Sequence, residues 1–184
     1  MKYISIILFS LLPFQLSAQR YSCKNAGITL FSGALIEDIK AVSSTGTSVY
    51  DAGTDELLFS VFISTFQFDK AFMQQHFNSD YMESDRYPKA IFKGKITEHI
   101  DLTHDGTYAV QVSGLLTVHG ITRARTVTGS VTVNNGVVSM ASTFFVNCAD
   151  HRVDIPQILF YHIAENIKIN VSATYSPYTN SSRQ

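Results

Sequence analysis

The sequence predicts an all-β chain: a single antiparallel β-barrel of about eight strands, with one short helix near residues 69–77. Three observations carry that prediction. Between Tyr108 and Val133 the chain forms two alternating arms, with Val110, Val112, Leu116 and Val118 on one parity of the first and Val127, Val131 and Val133 on one parity of the second. That is the period of a strand with one buried face. His119-Gly120 separates the arms and is short enough for a tight hairpin. Similar alternating runs, bounded by Gly, Asn, Asp and Ser, recur along the rest of the chain.

The first eighteen residues do not belong to that barrel. Lys2 is their only charge, Ile4 to Leu12 is an apolar run, and Leu16-Ser17-Ala18 ends on a small residue. These are the three regions of a secretory signal peptide, cleaved so that the mature chain begins near Gln19. The run is shorter than the roughly 20 residues a membrane-spanning helix needs, and Pro13 interrupts its end. Residues 19–176 are then one barrel domain with no membrane span, residues 177–184 are a disordered tail, and the location is periplasmic or secreted.

Composition narrows the function further. The formal net charge is −1, one unit more negative without Lys2, which supplies no footprint for nucleic acid and no polybasic patch for anionic membranes. Only 16% of residues are charged, while Phe and Tyr number 13 and 9, so the chain has apolar surface to hide within itself or around a ligand. Export would permit Cys23 and Cys148 to pair. Their bridge would be worth about 4 to 5 kcal/mol in the chain-entropy model. The other reading is two separate small hydrophobes on inner strand faces. Cys148 and His151, read as lying on one strand, point to opposite faces and form no dyad.

Taken in order, Arg20 to Cys23 and Gly27 to Phe31 read as two short strands. Ile36 to Val42 and Ser48 to Tyr50 are weaker candidates, separated by the turn-rich Ser43-Ser44-Thr45-Gly46. Leu57 to Phe66 is a strong strand with Leu57, Phe59, Val61 and Ile63 on one face, and Phe62 and Phe66 on the other. At Phe68 the period changes: Phe68, Phe72, Met73 and Phe77 are spaced for one helical face, with Asp69 near the cap. Ala90, Phe92, Gly94 and Ile96 alternate again. Asn134-Asn135-Gly136 has the chemistry of a type I′ turn. Val138, Met140, Phe144 and Val146 then point inward, as do Ile167, Ile169, Val171 and Ala173 on the last strand. The link between those strands carries Pro156 and exposed-looking Ile158, Leu159 and Phe160.

Two stretches carry a resemblance. His76-Phe77-Asn78-Ser79-Asp80-Tyr81, followed by Tyr87-Pro88 and Phe92, resembles a segment of the YceI family. Gly114-Leu115-Leu116-Thr117-Val118-His119-Gly120-Ile121-Thr122-Arg123 is similar to that family's hairpin, and the similarity extends from about Phe62 to Tyr175. The resemblance implies a lipocalin-like barrel whose apolar tunnel holds an amphiphile, a polyisoprenoid chain or quinone-like lipid. Two departures stand out. Met73-Gln74-Gln75-His76-Phe77 lacks the family's Arg-Asp pair, and its first hairpin is unrecognisable between Gly27 and Asp55.

Strand parity nominates Phe92, Val112, Leu116, Met140, Phe144, Ile169 and Val171 as the ligand-facing wall. Phe72, Met73, Phe77, Tyr81 and Met82 are the candidate lid, rich in aromatics and in adaptable methionine. The same side chains could instead plug the barrel, which would then be a ligand-free structural or stress-associated protein. His119 has two readings: with Arg123 it meets a lipid headgroup, or it fills a turn where Asn would serve as well. No metal, cofactor or catalytic site is expected, since the chain lacks a nucleophile elbow, zinc-spaced ligands and a Gly-rich phosphate loop. A homodimer stays open.

Overall fold

A computed structural model describes residues 19–33, 38–155 and 164–178 of the chain. Residues 1–18, expected to be a signal peptide, Ile158 to Phe160 and most of the tail lie outside those residues, although Pro177 still ends the last strand and Tyr178 N donates to Arg20 O at 2.7 Å.

The strands, numbered in chain order, are β1 (Arg20–Ser32), β2 (Ile39–Asp51), β3 (Glu56–Phe62), β4 (Gln67–Phe68), β5 (Lys89–Ile96), β6 (Gly106–Val118), β7 (Ile121–Asn134), β8 (Val137–Asn147) and β9 (Asn166–Pro177). All pair antiparallel in the order β1-β9-β8-β7-β6-β5-β3-β2, and β1 pairs with β2 to close the barrel. The short β4 adds to the free half of β2. Helix α1 (Ala71–His76) is the single α-helix among the described residues.

The predicted hairpin forms with Val118 opposite Ile121 and Asn134 opposite Val137 across the next turn, so each loop has two residues. His119 and Gly120 have φ of 50° and 72°, and Asn135 and Gly136 have 48° and 77°. Both loops thus adopt the left-handed conformation that a type I′ turn requires.

Three local predictions need correction. The two short strands at the start are one, bent by a register shift between Cys23 and Ile28. The turn-rich Ser43–Gly46 stretch lies inside β2, where Gly46 sits opposite Ala26. A Cβ there would fall 2.6 Å from Ile28 Cδ1, so this glycine serves close packing of two strands rather than a reversal. The Leu57–Phe66 strand ends at Phe62 in a 3₁₀ turn, Ile63–Thr65, which breaks the parity. Phe62 therefore faces out, 48% exposed, with Lys89 Nζ 4.4 Å from its ring centre, while Phe66 turns into the core.

The strand ends sort into two barrel ends. At one, Tyr21, Tyr50, Ile96, Ile100, Val131, Val138 and Tyr175 pack into a plug. Its polar atoms are satisfied: Tyr175 Oη and Ser48 Oγ are 2.7 Å apart, and Ser48 Oγ donates to Leu58 O. Burial pushes the Tyr175 phenol up to about 12. At the other end lie the His119-Gly120 turn, α1, and a 3₁₀ turn, Ala149–His151.

Candidate ligand-binding cavity

Between the tyrosine plug and helix α1 the barrel encloses a cavity of about 880 Å³. Its wall runs from Tyr175 and Ile96 at the plugged end to Phe72, His76, Asp80 and Tyr81 under the helix. The size falls within the range of natural small-molecule sites. Along the bore the lining is almost wholly apolar, with the carboxylates Asp80 and Asp154, and His76, at the helix end.

Each strand contributes through its alternation. Phe92 of β5, Val112 and Leu116 of β6, Met140 and Phe144 of β8, and Ile169 and Val171 of β9 all line the cavity. Sequence parity did not assign Ile28 and Leu30 of β1, or Leu57, Phe59 and Val61 of β3, to that wall. The β3 residues share a visible parity, whereas the β1 pair is hidden because the bulge restarts the alternation at Ala26.

The helix end is built by an irregular segment. Helix α1 starts at Ala71 with Lys70 at its N-cap, one residue after Asp69, and has no side-chain cap bond. It passes directly into a π turn, Phe77–Tyr81, in which Met82 N donates to Phe77 O at 2.9 Å. The wider turn brings Phe77, Tyr81 and Met82 to the same cavity as Phe72 and Met73. Phe77 is anchored by its neighbours, its ring centre 4.9 Å from that of Phe68 and 5.9 Å from that of Phe66. Met82 is buried with Ile63 and Val153. Phe72 differs: it lines the mouth yet is 56% exposed.

His119 is the one nominated residue that does not line the cavity. Its Nε2 lies 3.1 Å from Glu83 Oε1, its Nδ1 lies 3.2 Å from His151 O, and Tyr87 packs edge-on against the ring at 4.6 Å. Arg123 Nε donates to Asp150 O at 2.9 Å. Neither side chain faces the bore, because both are held by the Ala149–His151 turn and the segment after the helix.

That turn also corrects the reading of Cys148. The residues form a 3₁₀ turn rather than a strand, so Cys148 and His151 both reach the cavity wall. Burial pushes the Cys148 thiol up to about 11 and pushes His151 down. A protonated thiol beside a neutral imidazole is the opposite of an activated pair. The pairing of Cys23 with Cys148 is not formed: both are free, Cys23 in the tyrosine plug and Cys148 beside Met82 and Val153. Among the described residues no three His, Cys, Asp or Glu side chains gather as a metal site. Nor is any described helix long and apolar enough to cross a membrane.

Residues 16–175 match the model of the YceI-like domain. The chain belongs to the YceI-like family. The match reaches back through the first hairpin, which looked unrecognisable, and there β1 and β2 pair from Arg20–Asp51 to Ser32–Ile39. Among solved structures, a polyisoprenoid binding domain from Saccharophagus degradans superposes with a TM-score of 0.74 at 12% identity, covering 86% of this chain and 98% of that one. Burkholderia cenocepacia BcnA gives a TM-score of 0.69 at 13% identity, covering 82% and 96%. The Campylobacter jejuni YceI protein gives 0.55 at 15% identity, covering 98% and 100%. At such identities these structures establish the YceI-like fold alone. No curated protein sequence matches the chain.

Proposed function

We propose that this YceI-like chain is an exported lipid-binding protein that holds a long-chain amphiphile, a polyisoprenoid or quinone-like lipid, inside its barrel. The observation that carries the reading is the continuous apolar cavity of about 880 Å³. A void lined by Phe, Leu, Ile, Val and Met forgoes the dispersion contacts a filled core would make, and a hydrocarbon chain restores them. Each methylene taken from water is worth about 0.8 kcal/mol, so about ten give roughly 8 kcal/mol before the costs of binding. A tail can therefore bind without a charged anchor, consistent with the scarcity of charge along the bore. The neighbour from Saccharophagus degradans, a polyisoprenoid binding domain, supports the same class of ligand. The signal-peptide pattern of residues 1–18 supports export.

The self-filled alternative loses support because the inward Phe and Met side chains line the bore without filling it. Purification from a native host under mild conditions, followed by intact mass measurement, tests the reading. A mass raised by a bound lipid, on a chain starting near Gln19, is the expected result. A bare mass, with no uptake of added long-chain lipids, overturns it.

A further inference from the structure

The barrel wall is not uniformly stitched. Strands β6 and β7 pair along thirteen rungs, but β7 and β8 share only six, from Gly129–Ser142 to Asn134–Val137 at the plugged end. Beyond that point residues 121–128 of β7 stay on β6, and residues 143–147 of β8 stay on β9. The two strands part over five residues of β8, roughly 17 Å of wall. Below, the gap ends where Ser142 Oγ donates to Thr128 O at 2.6 Å. Above, it ends at the Ala149–His151 turn, where Arg123 Nε donates to Asp150 O.

One side chain bars the gap. Arg125 Nη1 donates to Phe145 O at 3.4 Å, and its Nη2 donates to Asp150 Oδ2 at 2.8 Å. Arg123 and Arg125 pair with Leu116 and Gly114 and share the inward parity of Val127. Arginines at those positions would face the apolar bore if β8 lay alongside. The parted strands let them bind the exposed edge of β8 and the turn beyond it. The cavity wall includes both banks of the gap, Val127 on one side and Phe144 and Val146 on the other. On the outer surface Phe145 is 58% exposed and Leu115 52%.

We propose that the lipid tail enters and leaves sideways through this β7–β8 seam, with the Arg125–Asp150 ion pair as its latch. The inference rests on the lipid-binding reading and adds the route and its gate. At the helix end, passage would break apolar packing: Phe77 against Phe66 and Phe68, and Met82 against Ile63 and Val153. Along the seam no ladder bonds are present to break, and the Arg125–Asp150 ion pair, half-buried at the arginine and exposed at the carboxylate, is a weaker link than that packing. Phe145 gives an incoming chain an apolar lip outside the latch.

Stopped-flow mixing of the mature chain with cis-parinaric acid, whose fluorescence rises on leaving water, tests the route. Arg125→Gln and Asp150→Asn should each speed uptake and release by about two- to fivefold, with Kd unchanged. Combining them should add little, since they remove the same bond. Phe145→Asp, which charges the outer lip, should slow both rates severalfold. A loosened helix end would not produce that slowing. Asp150 is an exposed carboxylate, so its variant keeps the test alive if Arg125→Gln fails to fold. Uptake at wild-type rates in all these variants overturns the seam and leaves lipid binding standing. No uptake by the wild-type chain overturns both.

Discussion

His119 Nε2 lies 3.1 Å from Glu83 Oε1, joining the β6–β7 turn to the segment that follows the helix. The imidazole is 9% exposed, and its other nitrogen faces the His151 carbonyl, so one ring ties three chain segments together. Asparagine would tolerate the φ of 50° but could not span both contacts. We expect His119→Asn to fold with a loss of about 1–3 kcal/mol. Thermal unfolding followed by circular dichroism should show a Tm lower by roughly 2–10 °C. An unchanged Tm would mean that the ring is only a turn residue.

Leu116 lines the cavity two rungs from the β6–β7 turn, buried and opposite Arg123 on β7. Leu116→Arg would place an unpaired charge on the apolar wall, so uptake of a fluorescent long-chain lipid should vanish and stability should fall. Retained uptake would show that position 116 does not face the cavity.

The two phenylalanines at the helix end should separate stability from ligand binding. Phe77 packs on Phe66 and Phe68, so Phe77→Ser should cost about 2–4 kcal/mol and also speed ligand loss. Phe72 is largely exposed at the cavity mouth, so Phe72→Ser should shift stability by less than about 0.5 kcal/mol while weakening retention. Urea unfolding and ligand-release rates measured on the same preparations decide this. Equal effects of both substitutions on stability would contradict the packing described.

The free cysteines make a further prediction. Burial holds the Cys148 thiol near 11, well above its ordinary range, so iodoacetamide should label it far more slowly at pH 8 than a model thiol. The sign for stability follows directly. Between about pH 9 and pH 11 the folded chain keeps a proton that the unfolded chain releases, so stability should fall as pH rises. Cys148→Ser should flatten that part of the curve. With both cysteines free, a reducing agent should leave the Tm unchanged; a fall on reduction would reveal a bridge.

Much of the wall could be read from the amino acids alone. Val112, Leu116, Met140, Phe144, Ile169 and Val171 line the cavity because alternate residues of any strand share a face. The two hairpin turns were equally legible, since His119-Gly120 and Asn135-Gly136 must both reach left-handed backbone.

Other features exist only once distant segments meet. Ser43–Gly46 reads locally as a turn, yet pairing with β1 draws it into a strand. The π turn after Phe77 forms where aromatic packing outweighs regular helix geometry. The same holds for the destinations of Cys23, Cys148 and His119, which depend on neighbours far away in sequence. Alternation, being local, determined which face of each strand is apolar. Barrel closure decided how much space those faces enclose and where β7 and β8 part, because both depend on register between strands, which no single strand encodes.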